Sequence, residues 1–124
     1  MSKFLLKVLS VTHWTDTLFS FQIERPKDFK FKSGEFVMIG LPNSEKPILR
    51  AYSICSPSWD EKLEFYSIIV ENGPLTSKLK DIKINDEIIL MSKSTGTLIL
   101  DALKPAKRLF LFSTGTGFAP FSSI

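Results

Sequence analysis

The chain has 124 residues, of which 44% are hydrophobic and 23% are charged, with a net charge of +3. This composition excludes wholesale disorder, and the length suffices for one core without disulfides or metals. No apolar run reaches the roughly 20 residues of a membrane span, and the N-terminal apolar stretch is too short for a secretory signal, so the sequence predicts a cytoplasmic protein with no membrane contact. A single cysteine and a single histidine predict no disulfide and no metal site. Any redox function would therefore need an organic cofactor.

A basic cluster interrupts the otherwise even charge distribution. Arg25, Lys27, Lys30 and Lys32 face only Asp28 as a counter-charge within this stretch. One interpretation is a solvated loop with long lysine stems, and the other is a docking surface for an acidic protein partner. Because no aromatic-interleaved basic motif accompanies the cluster, nucleic acid is not expected as a partner.

The apolar residues mostly follow the period-2 pattern of half-buried strands. Between Thr17 and Glu24, for example, Phe19, Phe21 and Ile23 alternate with polar residues. Turn-prone pieces at 32–34, 41–44 and 56–58 separate the segments. The predicted strands are Phe4–Val11, Thr17–Glu24, Glu35–Leu41, Leu49–Cys55, Leu63–Val70 and Glu87–Met91. Six short strands indicate a mainly β chain that closes into an antiparallel barrel.

Two segments depart from this pattern. Pro74 followed by Leu75, Leu79 and Ile82 predicts a short helix. Near the end, the continuous apolar run Arg108–Phe112 predicts a buried parallel strand, and the glycine-rich residues 113–120 after it predict a turn and a helix start. Residues 104–107 have the composition of a linker. The predicted division is therefore 1–103 and 104–124.

Gly115 and Gly117 lie where a strand passes into a helix. Such turns allow a phosphate or a ring to approach the backbone, and helix N-termini offer free N–H donors. The spacing is not a complete dinucleotide fingerprint, so a plain tight turn explains it equally well.

Arg50, Ala51, Tyr52 and Ser53 occupy one predicted strand. Strand alternation sends Arg50 and Tyr52 to one face and the other two to the opposite face. A guanidinium suits a phosphate, a phenol ring stacks on a flat heterocycle, and a hydroxyl hydrogen-bonds a ring nitrogen. The alternative is a core tyrosine beside a surface arginine.

The order of three motifs carries a family resemblance: Arg-x-Tyr-Ser at 50–53, Gly-Pro-Leu-Thr-Ser at 73–77 and Ser-Thr-Gly-Thr-Gly-x-Ala-Pro at 113–120. Together they resemble the ferredoxin–NADP reductase superfamily, and the strings at 63–68 and 95–98 are most similar to its bacterial-type members that serve ferredoxin or flavodoxin. The resemblance implies an FAD-binding domain at 1–103, a six-stranded antiparallel Greek-key barrel with one short helix. It also implies the strand–turn–helix start of a truncated α/β NADP-binding domain at 104–124.

The resemblance also implies a site. Arg50 would hold the FAD phosphates, Tyr52 would stack on the isoalloxazine and Ser53 would hydrogen-bond near flavin N5, while Thr116 would face flavin and nicotinamide. Ser53, Tyr52 and Thr116 are the implied catalytic residues. The implied cofactor-binding set is Arg50, Ala51, Tyr52, Ser53, Tyr66, Ser67, Ile68, Val70, Gly73, Pro74, Leu75, Thr76, Ser77, Gly115, Thr116 and Gly117.

The implied function is a flavoprotein oxidoreductase that passes electrons between NADPH and ferredoxin or flavodoxin through FAD, with FAD and NADP(H) as cofactors. The expected partner is an acidic electron-transfer protein, and the expected state is a monomer or a pair formed through the C-terminal region. Two alternatives stay open: a non-catalytic flavin-binding or docking module without a working NADP domain, and a subunit that supplies flavin to another enzyme. A yellow preparation would indicate a flavoprotein, and a colourless one that does not bind added FAD would indicate a scaffold without a flavin.

Overall fold

A computed structural model describes residues 2–42 and 45–124. Within these ranges the chain forms six strands and two short helices, with 3₁₀ turns at Leu100–Ala102 and Gly115–Gly117. The elements are β1 (Lys3–His13), β2 (Leu18–Glu24), β3 (Phe36–Gly40), β4 (Leu49–Ser53), β5 (Lys62–Ile68), α1 (Thr76–Leu79), β6 (Glu87–Met91) and α2 (Phe118–Ser123). All six predicted strands are confirmed with shifted ends, whereas part of the turn predicted at 41–44 lies outside the described residues.

The alternation of apolar and polar residues in β2 places its apolar side chains in the core, as the sequence predicts. Phe19, Phe21 and Ile23 are buried in the core, where Phe21 packs 5.5 Å from Phe65 between ring centroids. Ser20 is also buried, and its hydroxyl is satisfied there by a hydrogen bond of 2.9 Å from the Trp14 indole N–H. The inner face of this strand therefore anchors the barrel core.

The strand order is β4-β3-β6-β1-β2-β5, and every neighbouring pair is antiparallel. β6 lies between β1 and β3, which gives the Greek-key connection. A register shift between Val8 and Ser10 interrupts the pairing of β1 with β2, and such a bulge increases strand bending. The sheet ends β4 and β5 then meet, joined by a hydrogen bond of 2.8 Å from the Cys55 N–H to the Glu64 carbonyl.

Two of the four residues of the basic cluster, Arg25 and Lys32, make contacts within the chain. The Arg25 guanidinium donates hydrogen bonds to the carbonyls of Phe29, Ser58 and Asp60. Lys32 forms an exposed ion pair with Asp101 at 2.7 Å. This arrangement favours the loop interpretation of the cluster over a free docking surface.

The parallel strand predicted at Arg108–Phe112 does not form in the described chain. These residues have no regular secondary structure, and the side chains of Phe110 and Phe112 are 72% and 85% exposed. The prediction is wrong here because a strand requires a neighbour, and the described residues supply no parallel strand beside this segment. The turn and helix predicted after it are confirmed as the Gly115–Gly117 turn and α2. No helix of the described ranges is long and apolar enough to cross a membrane.

Candidate functional site

A cleft of about 460 Å³ opens at the seam between β4 and β5. The Cys55–Glu64 backbone bond closes one end of this seam, and the hydroxyls of Tyr52 and Ser67 are hydrogen-bonded across it at 2.9 Å. The cleft is lined by Arg50, Ala51, Tyr52, Ser53, Tyr66, Ser67, Ile68, Val70, Gly73, Pro74, Leu75, Thr76, Thr116 and Ala119. Segments far apart in sequence therefore converge on one cavity.

This lining brings together most of the residues that the sequence singled out. Ser77, Gly115 and Gly117 are not among the lining residues. The Ser77 N–H instead donates to the Gly73 carbonyl at 3.2 Å, which places Ser77 in the turn that begins α1. Ala119 lines the cleft although the resemblance did not include it in the cofactor-binding set; its place within the 113–120 motif is the sequence feature that points to it.

More residues of β4 line the cleft than strand alternation predicts. Arg50, Ala51, Tyr52 and Ser53 all line the cavity, although alternation divides them between two faces. The reason is that β4 is an edge of the sheet, paired only with β3, so the cavity reaches around its open edge. The Arg50 guanidinium is exposed and donates to the neighbouring Leu49 carbonyl at 2.9 Å.

Tyr52 has a fixed, partly buried ring. Its hydroxyl is bonded to Ser67, and its ring meets the Phe65 ring edge-on at 89° with the centroids 6.4 Å apart. Burial raises the pKa of Tyr52, and the hydrogen bond with Ser67 opposes this shift. The residue is therefore a neutral phenol at neutral pH, and it offers an aromatic surface to the cleft.

The loop from Val70 to Thr76 forms the end wall of the cleft. The Thr76 hydroxyl accepts a hydrogen bond from the Val70 N–H at 3.0 Å and donates one to the Val70 carbonyl at 3.2 Å. A Cβ at Gly73 would lie 2.5 Å from that hydroxyl oxygen, so only glycine fits. Because α1 spans only Thr76–Leu79, its dipole is small, and this wall is defined by the folded loop.

The opposite wall comes from the turn at Gly115–Gly117 and from α2. Thr116 and Ala119 line the main cleft, whereas Gly115 lines a smaller apolar cleft of about 270 Å³ with Trp14, Leu18, Tyr66 and Phe118. Gly115 adopts a φ of 54°, a conformation that favours glycine. This geometry supports the tight-turn interpretation of Gly115.

Tyr66 separates the two cavities. Burial raises the pKa of Tyr66 to about 12, with a further contribution from its contact with Cys55. Burial likewise raises the pKa of the Cys55 thiol. Both side chains are therefore neutral at neutral pH, and neither is a reactive anion.

The molecule is thus a Greek-key barrel that presents an aromatic ring, a guanidinium and hydroxyls in a cleft at its opened seam, which defines a ligand-binding barrel. Residues 4–98 match the family described as the oxidoreductase FAD-binding domain. The chain belongs to this family.

The most similar relatives include bacterial reductases. The chain is 63% identical over 118 residues to the flavodoxin/ferredoxin–NADP reductase of Rhodobacter capsulatus, covering 94% of this chain and 44% of the relative. It is 56% identical to the ferredoxin–NADP reductase of Pseudomonas aeruginosa, covering 95% of this chain and 46% of the relative. The chain therefore spans about half the length of the curated relatives it matches.

The fold has a similar counterpart among solved structures. A ferredoxin NADP+ reductase from Neisseria gonorrhoeae, solved with bound FAD and NADP, superposes with a TM-score of 0.94 at 32% identity. The match covers 99% of this chain and 50% of that chain. The Greek-key barrel predicted from the sequence is thereby confirmed.

Proposed function

We propose that this chain binds FAD in the seam cleft, defined as the cavity between β4 and β5, and acts as the flavin domain of a ferredoxin or flavodoxin–NADP reductase. The observation that carries the proposal is the convergence in one cavity of residues from segments 50–53, 66–76 and 116–119. The first segment belongs to β4 and the second begins in β5, whereas 116–119 belongs to no strand, so strand pairing alone does not explain why all three meet.

The cleft has the chemistry that a flavin dinucleotide requires. The Tyr52 ring and the apolar side chains of Ile68 and Val70 give surfaces for a flat tricyclic ring. The exposed Arg50 guanidinium suits a phosphate, because its planar fork pairs with two oxygens at once. At the loop wall, the missing Cβ of Gly73 permits the tight path of the backbone beside the cleft.

Ser53 and Thr116 are the proposed polar contacts of the reacting part of the cofactor. Both line the cleft, Ser53 from the end of β4 and Thr116 from the glycine turn. Neither hydroxyl is used in a side-chain hydrogen bond found among the described residues, so each is available to a ligand. Bound FAD supplies two-electron exchange with a nicotinamide and one-electron exchange with a protein carrier. The chain contributes by orienting the ring and excluding water from it.

The proposal includes NADP(H) as the second cofactor and an acidic ferredoxin or flavodoxin as the electron-transfer partner. It also includes a cytoplasmic location and a division of the chain into 1–103 and 104–124. The Rhodobacter relative carries both ferredoxin and flavodoxin in its name, and the Neisseria structure holds NADP. The linker part of the division, residues 104–107, is exposed and lacks regular structure. This supports a boundary near Lys104.

A titration of the chain with FAD, followed by quenching of flavin fluorescence, tests the proposal. The chain should turn yellow and bind FAD, and Arg50→Ala should weaken binding by about tenfold to a hundredfold because a charge-assisted phosphate contact is lost. Arg108→Ala is the matched control, since Arg108 is exposed and does not line the cleft. Absence of FAD binding by the unaltered chain would overturn the proposal.

A non-catalytic flavin module is the second candidate, since Arg108–Phe112, predicted as the first strand of an NADP-binding domain, has no regular structure in the described chain. Reduction of an artificial dye by NADPH in the presence of the FAD-loaded chain tests the second candidate. We expect weak or no turnover from this chain, and robust turnover would exclude the module.

A further inference from the structure

The wall of the seam cleft that contains Thr116 and Ala119 is connected to the barrel through an exposed stretch of chain. Residues 104–112 lead to it, and among the described residues no hydrogen bond connects this stretch to the barrel. The stretch is exposed throughout. The position of the wall must therefore be set by contacts that residues 113–124 make themselves.

One of those contacts is a buried hydrogen bond. The Ser123 hydroxyl donates to the Ser56 carbonyl at 2.7 Å, and the two residues are 1% and 5% exposed. Ser56 in turn is fixed to β5, because its hydroxyl accepts the Glu64 N–H at 3.0 Å. Ser123 is thus connected to the closed end of the β4–β5 seam.

The same face of α2 reaches the cleft. Ala119 and Ser123 are four residues apart, so they lie on one side of the helix, and both are buried against the barrel. Ser122 contacts Cys55 beside them. A movement that releases Ser123 would consequently carry Ala119 and the preceding Thr116 away from the opposite wall.

We propose that Ser123 is a positioning residue, whose buried bond to Ser56 holds α2 on the barrel and thereby sets the width of the seam cleft at Thr116. The part of this inference that concerns a bound flavin rests on the proposed function. The part that concerns the docking of α2 does not.

Cys55 offers a direct measure of α2 docking. It is the only cysteine of the chain, it is 3% exposed, and Ser122 of α2 contacts it. In Ser123→Ala the Ser56 carbonyl loses its buried donor, which should shift the opening of α2 and accelerate labelling of Cys55 by DTNB about tenfold. Ser92→Ala, a serine after β6 that is absent from the cleft lining, should label at the unaltered rate. The free energy of unfolding in urea should fall by no more than about 1.4 kcal/mol, which is the tenfold shift converted, because the barrel core is untouched.

The effect on a bound flavin is measured by visible circular dichroism of FAD, which is sensitive to the surroundings of the isoalloxazine ring. We expect Ser123→Ala to change this spectrum and Ser92→Ala to leave it unchanged. Equal labelling rates in Ser123→Ala and the unaltered chain would overturn the docking role. Faster labelling with an identical flavin spectrum would overturn the control of the cleft. If the unaltered chain takes up no FAD, the proposed function and the cleft role both fail, while the labelling rates still decide whether Ser123 holds α2.

Discussion

The hydroxyl of Tyr52 lies 2.9 Å from the hydroxyl of Ser67, so a side-chain hydrogen bond connects β4 to β5 where the barrel opens. Ser67 is buried, and Tyr52 is its partner across the seam. The bond and the ring of Tyr52 should therefore have separable effects, the first on the stability of the seam and the second on ligand binding.

Tyr52→Phe removes this hydroxyl and keeps the ring. The free energy of unfolding should fall by about 1–2 kcal/mol, because Ser67 is left buried without its partner, while FAD affinity should stay within roughly threefold. Tyr52→Ala should also lose the stacking surface and bind FAD more than about tenfold more weakly. Urea unfolding and FAD titration measure the two effects. Equal FAD affinities in the Phe and Ala variants would contradict the stacking role.

Gly73 and Gly117 form a matched pair of glycine sites. A Cβ at Gly73 would lie 2.5 Å from the Thr76 hydroxyl and 3.0 Å from the Val70 carbonyl, whereas at Gly117 the nearest atom is 3.6 Å away. Gly73→Ala should therefore displace the loop, cost about 1–3 kcal/mol of stability and weaken FAD binding. Gly117→Ala should change stability by no more than about 0.5 kcal/mol. Thermal unfolding of both variants tests this, and a neutral Gly73→Ala would show that the loop does not need the close approach.

Arg25 should matter for stability, in contrast to its lysine neighbour. Its guanidinium donates to three backbone carbonyls and lies 4.9 Å from the centroid of the Phe31 ring. Arg25→Ala should lower the free energy of unfolding by about 2–3 kcal/mol, and Arg25→Lys should restore little of it, because an ammonium cannot span the same carbonyls. Lys27→Ala is the control, since Lys27 is exposed, and it should shift stability by less than about 0.5 kcal/mol. A silent Arg25→Ala in urea unfolding would refute the structural role.

The two tyrosines should resist ionisation in the folded chain. Burial raises the pKa of Tyr52 above 10.0 and that of Tyr66 to about 12. A folded-state pKa raised above the unfolded value gives stability that is complete below pH 10 and is lost as the pH rises toward 12, because the unfolded state releases the proton first. Tyrosinate absorbance at alkaline pH should therefore appear late for the folded chain and near pH 10 in urea. A normal titration of both tyrosines in the folded chain would contradict their described surroundings.

The barrel strands were predictable because each carries its own signal. In β2 the alternation of Phe19, Phe21 and Ile23 with polar residues identifies both the strand and its buried face. The Arg108–Phe112 run carries an equally clear apolar signal, yet no strand forms, because pairing depends on a neighbour that the sequence of that segment does not contain. An apolar pattern thus leads to a buried strand only where another segment of the described chain pairs with it.

The candidate site was likewise predictable from the sequence only in part. The sequence motifs at 50–53 and 73–77 contain most of the residues that line the cleft. Strand alternation divides Arg50 and Tyr52 from Ala51 and Ser53, whereas the family resemblance implied one site for all four, and the edge position of β4 gives the structural reason why they share the cleft. The motif residues could not reveal that Arg25 is held by carbonyls from two loops.

By itself, the sequence determined the strand-rich class, the buried apolar faces and the residue types of the proposed flavin site. The tertiary structure decided which edges meet, that Tyr52 and Ser67 bridge the seam, and that Ser123 reaches the Ser56 carbonyl. The physical reason is range: local periodicity and turn chemistry act over a few neighbouring residues, whereas strand order and long-range hydrogen bonds depend on how distant segments close on one another.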